Sequence, residues 1–174
     1  WNRAYEYIYR MNSFLINVKD AEKISAEQKA RLTGEVLYLR AWAYYNLIQR
    51  YGGVPYITKV FDLSGPFGVK RDKFDTCVDN ILKDLEEAEK LLPSKENSAY
   101  GRANKDVVLA LRCRLTLLAA SPLFNDKDNP EGSIFRGQYD DKKWERAYAA
   151  AKAIVDRADK DGAYAMEPTY DGFW

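Results

Sequence analysis

Apolar residues recur every three or four positions along most of this chain, with polar residues between them, and that spacing predicts amphipathic helices. Five segments carry the pattern, at about residues 1–18, 25–51, 73–92, 105–121 and 144–158. Since these segments account for most of the sequence, the predicted fold class is all-α.

The predicted helix ends carry residues that satisfy or close the helical backbone. Ser25 and Gln28 form a capping box at the start of the second helix, because each side chain can pair with a free backbone amide. Gly52 can adopt the left-handed conformation that ends this helix without a Cβ penalty. Further expected N-caps are Asp72 and Asn104, and further expected helix terminators are Gly53, Pro93 and Pro122.

The helix faces predict which side chains form the core. The second helix carries two apolar stripes, so it must be covered on two faces, and Trp42 is expected inside. Asp84 is expected on the solvent side of the third helix with its charged neighbours. Arg40 and Arg102 are expected to orient helices through hydrogen bonds. The expected inward face of the fifth helix is Trp144, Ala147, Tyr148, Ala151, Ile154, Val155 and Ala158.

Successive amphipathic helices, one of them apolar on two sides, favour helix pairs stacked side by side as in tetratricopeptide proteins. Two long connections interrupt the stack, at residues 52–72 and 122–141. Connections longer than about 12 residues in a compact domain are often functional, so ligand binding is expected there. We expect a single tetratricopeptide-like helical domain over residues 1–174, with long loop insertions, as part of a longer protein.

Composition and charge exclude several function classes. The 27 Lys and Arg residues balance the 26 Asp and Glu residues, which gives no electrostatic reason to expect nucleic acid as a partner. The sequence has no His, the commonest general base and metal ligand, and no Gly-rich phosphate loop. No stretch approaches the roughly 20 apolar residues of a membrane-spanning helix. The sequence therefore predicts a protein that is not an enzyme and has no cofactor or metal.

Two local features could still carry chemistry. Residues 125–132 are rich in oxygen ligands, but Pro130 and Gly132 do not fit the spacing of the helix–loop–helix calcium template, so a solvated turn is favoured over a calcium site. Cys77 and Cys113 would lie roughly 10 Å apart along neighbouring antiparallel helices, beyond the reach of a disulfide. Two buried free thiols are therefore expected.

Aromatic residues are the best candidates for ligand contact, because a sugar lays its C–H face on an aromatic ring while its hydroxyls bond to nearby polar groups. Each could instead serve packing or a turn. The candidates, at the chain start or in the long connections, are Trp1, Tyr5, Tyr56, Phe67, Phe135 and Tyr139, with Asn125, Arg136 and Gln138 as hydrogen-bonding neighbours.

Short motifs follow one another in a specific order and spacing over nearly the whole chain. They include Gly34–Glu35, Leu39–Ala41, Tyr44–Tyr45, Arg50–Pro55, Leu92–Pro93, Gly101–Ala103 and Ala120–Asn125. In these motifs the chain resembles the SusD/RagB family of outer-membrane glycan-capture lipoproteins.

The resemblance implies a tetratricopeptide-like scaffold in a surface-exposed lipoprotein of the outer membrane. It also implies an oligosaccharide ligand and a SusC-like TonB-dependent transporter as partner. Family members are much longer than this sequence, and much of their ligand surface lies in a C-terminal half that is absent here. Membrane association is expected through an N-terminal lipid anchor that is also absent from this chain.

Three functions stay open on the sequence alone. The first is a non-catalytic protein that captures oligosaccharide and delivers it to the transporter. The second is a general helical-repeat scaffold that binds proteins or peptides in its groove. The third is a carbohydrate-active enzyme, against which the missing His and the scattered carboxylates argue. Co-purification with a β-barrel transporter favours the first function, and capture of a short linear peptide favours the second.

Overall fold

The computed structural model describes residues 1–61, 68–128, 130–162, 164–165 and 168–169. Within these ranges the regular structure consists of helices, without any strand, which confirms the all-α prediction. The α-helices are α1 (Asn2–Asn17), α2 (Ala26–Tyr51), α3 (Phe74–Leu91), α4 (Lys105–Ala120) and α5 (Lys142–Asp161). Single 3₁₀ turns follow α1 at Val18–Asp20 and precede α4 at Lys95–Asn97.

Each helix packs against the next, so that the chain forms a layered stack. The most extensive contacts join α2 to α3 and α4 to α5, and α1 covers a second side of α2. The core between the first four helices is almost entirely aliphatic and aromatic, with Tyr44, Phe74 and Leu85 fully buried. This arrangement is the tetratricopeptide-like stacking that the helix pattern predicts.

Local capping signals position two of the helices as expected. Ser25 and Gln28 exchange side-chain and backbone hydrogen bonds at the start of α2. Asn104 Oδ1 accepts hydrogen bonds from the amides of Asp106 (3.0 Å) and Val107 (3.2 Å), which caps α4. Because these signals involve neighbours in sequence, they can be recognised without tertiary information.

Replacing Asn104 with alanine should therefore lower the free energy of unfolding by about 1 kcal/mol, since two amides of the first turn of α4 lose their acceptor. The control is Lys73→Ala, because Lys73 precedes α3 in the same position but makes no side-chain cap. Urea denaturation of both variants checks the difference. An equal loss of stability in the two variants would contradict the capping role of Asn104.

The predicted N-cap at Asp72 is wrong. The Asp72 carboxylate accepts a hydrogen bond from the Tyr56 amide at 2.8 Å, so it holds the 52–57 connection instead of the start of α3. The first amide of α3, at Phe74, is satisfied by the carbonyl of Ser133 at 3.0 Å. A backbone partner from a distant loop thus replaces the side-chain cap.

The expected inward face of α5 is also wrong in part. Its buried residues are Lys143, Ala147 and Ala150, whereas Trp144 is 50% exposed and Tyr148 and Val155 are exposed as well. Small alanines let α5 approach α4 closely, and the larger apolar residues lie on another side of the helix. Trp42, expected inside, is 38% exposed on α2, so that prediction is also wrong.

Asp84 is buried rather than solvated, because it is the ion-pair partner of Arg40. Arg40 donates to Asp84 through Nε at 2.8 Å and through Nη2 at 2.6 Å. Arg102 similarly pairs with Glu35, which joins the 98–104 connection to α2. Both arginines thus orient helices as predicted.

The two cysteines are unpaired. Cys77 is buried, and its thiol donates to the carbonyl of Val54 at 3.3 Å. Burial raises the pKa of the Cys77 thiol to about 11, so this group stays protonated at neutral pH. Cys113 is only half-buried, so the expectation of two buried thiols holds for one of them.

Candidate functional site

An aromatic surface lies where the start of α1 meets the end of α2. The ring of Trp1 packs edge-on against Tyr51 at a centroid distance of 4.9 Å and lies 5.4 Å from the ring of Tyr5. Arg71 lies 5.0 Å from the centroid of the Phe135 ring and donates to the backbone carbonyl of Tyr51. We call Trp1, Tyr51, Arg71 and Phe135 the aromatic end surface.

Two glycines make this junction possible. Gly52 ends α2 with φ of +70° and ψ of −143°, outside the left-handed helical region and in a conformation that glycine adopts far more readily than any residue with a Cβ. A Cβ at Gly52 would stand 2.6 Å from the carbonyl oxygen of Ile134 and 2.9 Å from the Cα of Phe135. The amide of Gly53 donates to the same Ile134 oxygen at 2.5 Å. The loop that carries Phe135 therefore lies directly on the Gly52–Gly53 backbone.

Arg71 serves as the link between the two connections. Its Nε donates to the carbonyl of Gly53 at 2.7 Å, and its guanidinium lies over one face of Phe135. Because Phe135 is 66% exposed, its ring still presents surface to solvent. Trp1 and Tyr51 are also exposed. Exposed rings held from behind by backbone hydrogen bonds form a pre-organised surface for the C–H faces of a ligand.

Tyr5 lies behind this surface. Its hydroxyl donates to the carbonyl of Pro55 at 2.9 Å, so it ties α1 to the 52–57 connection. Burial raises the pKa of the Tyr5 phenol, and nearby Cys77 and Asp72 raise it further. Tyr5 is therefore a neutral hydrogen-bond donor at physiological pH, with a supporting position beneath Trp1.

Tyr56 lies in the polar network around Arg40. Its ring stacks on Tyr44 at 3.9 Å, and its hydroxyl donates to Asp84 at 2.8 Å. Burial and the Asp84 carboxylate both raise the pKa of this phenol. The hydroxyl and one ring face of Tyr56 therefore make contacts inside the protein. Only the rest of its ring is left for contact with a ligand.

The other sequence candidates lie elsewhere. Tyr139 and Gln138 line a separate cleft between α3 and α5. Asn125 is buried and exchanges hydrogen bonds with the backbone of Asp140 at 2.8 and 3.0 Å, which fixes the loop before α5. Arg136 pairs with Asp126 at 2.6 Å, in the segment that is rich in oxygen ligands. Phe67 lies outside the described residues.

Two members of the aromatic end surface have no place among the sequence candidates. In the sequence, Tyr51 is one of several apolar residues of the second helix. The signal that could have identified it is its position directly before Gly52, at the end of that helix. Arg71 shows no sequence signal, because its partners, Tyr51, Gly53 and Phe135, become neighbours only in the folded chain. Within the described part of the chain, no group of three His, Cys, Asp or Glu side chains is arranged to hold a metal ion.

Stacked helix pairs with exposed aromatic rings at one end define a tetratricopeptide-like scaffold with a candidate ligand surface. Residues 1–117 match a SusD-like family described as "Starch-binding associating with outer membrane". The chain belongs to the SusD-like family. Among the described helices, none combines the length and apolar character needed to span a bilayer.

Individual relatives support the same family. SusD-like protein P25 of Formosa agariphila is 30% identical over 106 residues, which are 60% of this chain and 20% of that protein. The solved structure of BT4246 is 29% identical and superposes with a TM-score of 0.85 over 99% of this chain and 32% of its own. A laminarin-binding SusD-like protein is 25% identical, with a TM-score of 0.66 over 88% of this chain and 29% of its own. The chain therefore spans about a fifth to a third of the length of these relatives.

Proposed function

We propose that the protein containing this chain is a non-catalytic, surface-exposed lipoprotein of the outer membrane that captures oligosaccharide. It delivers the bound sugar to a SusC-like TonB-dependent transporter. The observation that carries this proposal is the match of residues 1–117 to a starch-binding, outer-membrane-associated family on a helical scaffold. A family relative of similar fold is laminarin-binding by its description.

The aromatic end surface supports the ligand class. Oligosaccharides present flat C–H faces that pack on aromatic rings, and the rings of Trp1, Tyr51 and Phe135 are exposed together here. The adjoining polar groups are committed to holding the surface, since Arg71 bonds to backbone carbonyls. Such a surface can bind a sugar but offers no acid–base pair to cleave it.

Phe135→Ala should weaken oligosaccharide binding about three- to tenfold, because an aromatic contact of this kind contributes about 0.5–1.5 kcal/mol. Isothermal titration calorimetry against a panel of neutral oligosaccharides, laminarin fragments included, measures the change. The matched control is Tyr100→Ala, which removes a fully exposed aromatic ring outside this surface.

Two results would count against the proposal. Equal weakening by Phe135→Ala and Tyr100→Ala, or none by either, would remove the aromatic end surface from the binding site. Release of shortened oligosaccharides during incubation, detected by mass spectrometry, would show an enzyme. The delivery step is tested by co-purifying the full-length parent with a β-barrel transporter from native membranes. If the parent binds sugar but no transporter co-purifies with it, the capture role stands and the delivery role is contradicted.

A further inference from the structure

A polar cleft separates the first half of α3 from the first half of α5, and it is lined by a different set of residues from the aromatic end surface. Its volume is about 300 Å³, which lies at the lower end of the range for small-ligand sites. Asp75 and Asp79 of α3 face Lys143 and Arg146 of α5 across it, and Thr116 of α4 forms part of its floor. We call this space the α3–α5 cleft.

One wall of the cleft is rigidly built. Lys143 is buried, and its Nζ donates to Asp75 Oδ1 at 2.9 Å and to the carbonyl of Gln138 at 2.6 Å. The amide of Gln138 donates to the other Asp75 oxygen at 2.5 Å. A Cβ at Gly137 would stand 2.6 Å from Asp75 Oδ1 and 2.8 Å from the backbone carbonyl oxygen of Phe124, so a larger residue there would displace its neighbours. These groups hold the loop that carries Tyr139.

The opposite part of the cleft has open hydrogen-bonding capacity. Asp79 and Arg146 approach each other only to 3.9 Å, and their side chains are 61% and 53% exposed. A carboxylate accepts hydrogen bonds and a guanidinium donates them, each at several positions. Two neighbouring sugar hydroxyls can therefore donate to Asp79 and accept from Arg146 at the same time. The ring of Tyr139 lines the same space, with Lys127 Nζ 5.5 Å from its centroid.

The cleft continues along α5 as a longer groove. Asp79, Thr116 and Arg146 belong to both, and beyond them the α5 side of the groove consists of Ala149, Ala150 and Ala153. Small side chains leave room for a ligand longer than one sugar ring. The groove thus suits a short oligosaccharide that lies across the cleft and along the alanines.

Charges along the cleft and groove are balanced. Four carboxylates and four cationic side chains line them, namely Asp75, Asp79, Glu86, Asp140, Lys83, Arg112, Lys143 and Arg146. An anionic ligand meets no surplus positive charge here, and it would lose water around its own charge without compensation. A neutral, hydroxyl-rich ligand meets both donors and acceptors.

We propose that the α3–α5 cleft is a second oligosaccharide-binding site, selective for neutral sugars, in which Asp79 and Arg146 bind neighbouring hydroxyl groups. The inference rests on the proposed function for the ligand class, but it concerns a different surface. Peptide is the other class of ligand that grooves between stacked helices accept. The open polar pair, the tyrosine ring and the polar lining of the cleft favour sugar.

Calorimetry on the full-length parent protein with a short neutral β-glucan oligosaccharide tests the cleft. Arg146→Ala and Asp79→Ala should each weaken one binding event about tenfold, the loss expected for charge-assisted hydrogen bonds. Arg146→Lys should weaken it too, because lysine keeps the charge but loses the planar fork. Lys152→Ala is the matched control, since it removes a cation of α5 that pairs with Asp156 outside the groove. Phe135→Ala should leave this event unchanged.

The outcomes separate the two proposals. If the wild-type chain binds the oligosaccharide and both cleft variants bind it equally well, the cleft inference is overturned and the proposed function stands. If wild type binds no oligosaccharide and instead retains linear peptides, both are overturned. Binding of an oligogalacturonate as tightly as the neutral probe would overturn the selectivity, and full binding by Arg146→Lys would overturn the paired-hydroxyl geometry. Circular dichroism confirms that each exposed-site variant is folded.

Discussion

Replacing Asp84 with alanine is expected to lower the free energy of unfolding by about 3–5 kcal/mol, because it leaves the Arg40 guanidinium buried without its counter-charge. The side chains of Arg40 and Asp84 are only 8% and 10% exposed. Asp84 also accepts a hydrogen bond from the Tyr56 hydroxyl, so a second donor loses its partner. Urea denaturation of the variant measures the loss.

The effect should be large because the pair belongs to a wider network. Arg40 Nη1 donates to Asn12 at 2.8 Å, and Asn12 in turn donates to the carbonyl of Ile57 at 2.9 Å. The network thus joins α1, α2, α3 and the connection after Gly53. Among the described residues, every buried side-chain nitrogen and oxygen has a hydrogen-bonding partner, so one deletion cannot be absorbed by a spare donor or acceptor.

Two further variants identify the cause. Tyr56→Phe should cost only about 0.5–1.5 kcal/mol, because it removes one hydrogen bond and leaves the ion pair intact. The double variant Arg40→Met with Asp84→Leu should recover part of the loss, because it removes both charges but leaves the Tyr56 hydroxyl and Asn12 Oδ1 without their partners. A double variant as unstable as Asp84→Ala would point to lost packing or lost hydrogen bonds instead of an unpaired charge. A loss below about 1 kcal/mol for Asp84→Ala would rule out the buried-charge argument.

The sequence predicts the helices of this protein well because helix formation depends on near neighbours. The capping box at Ser25 and the cap at Asn104 are formed by residues two or three positions apart. The all-α fold and the family both follow from this local pattern and from motifs such as Arg50–Pro55. Boundaries differ by a residue or two at most helix ends, where local signals compete with tertiary contacts.

Errors arise where distant partners decide the position of a side chain. Asp84 reads as one of several charged residues on a solvated face, and only the position of Arg40 on another helix makes its burial favourable. In α5, Ala147 and Ala150 lie on one face and Trp144 lies on another, and both faces have helical spacing. The close approach of α4 buries the face with the alanines. Periodicity identifies amphipathic helices but does not choose between two apolar faces.

In the candidate site, too, local features could be predicted from the sequence and contacts between distant residues could not. Aromatic residues near the chain start and in the loops could be selected from composition, and Trp1 and Phe135 do lie on one surface with Tyr51 and Arg71. Tyr56 instead belongs to the Arg40 network, because its hydroxyl donates to Asp84, 28 residues further along the chain. Opposed pairs such as Asp79 and Arg146 cannot be found from spacing, because they depend on how α3 and α5 are placed.

Replacing Gly52 with alanine is expected to lower the free energy of unfolding by about 3 kcal/mol or more, combining about 1–3 kcal/mol of backbone strain at a positive φ with a steric clash. The new Cβ would contact backbone atoms of Ile134 and Phe135, which cannot rotate away as a flexible side chain could. The loop must therefore move off the end of α2, and the amide of Gly53 would lose its hydrogen bond to Ile134. Thermal and urea denaturation measure the effect.

Gly101→Ala separates strain from clash. Gly101 also has a positive φ, +80°, but a Cβ there meets no atom within 4 Å, so its replacement should cost only about 1–2 kcal/mol. The difference between the variants is then the energy of holding the Phe135 loop against the Gly52–Gly53 backbone. If that contact positions the aromatic end surface, Gly52→Ala should weaken oligosaccharide binding at temperatures where it remains folded, and Gly101→Ala should not. Equal stability and binding in the two variants would mean that the loop settles elsewhere at little cost, and that Phe135 is not held in place by this junction.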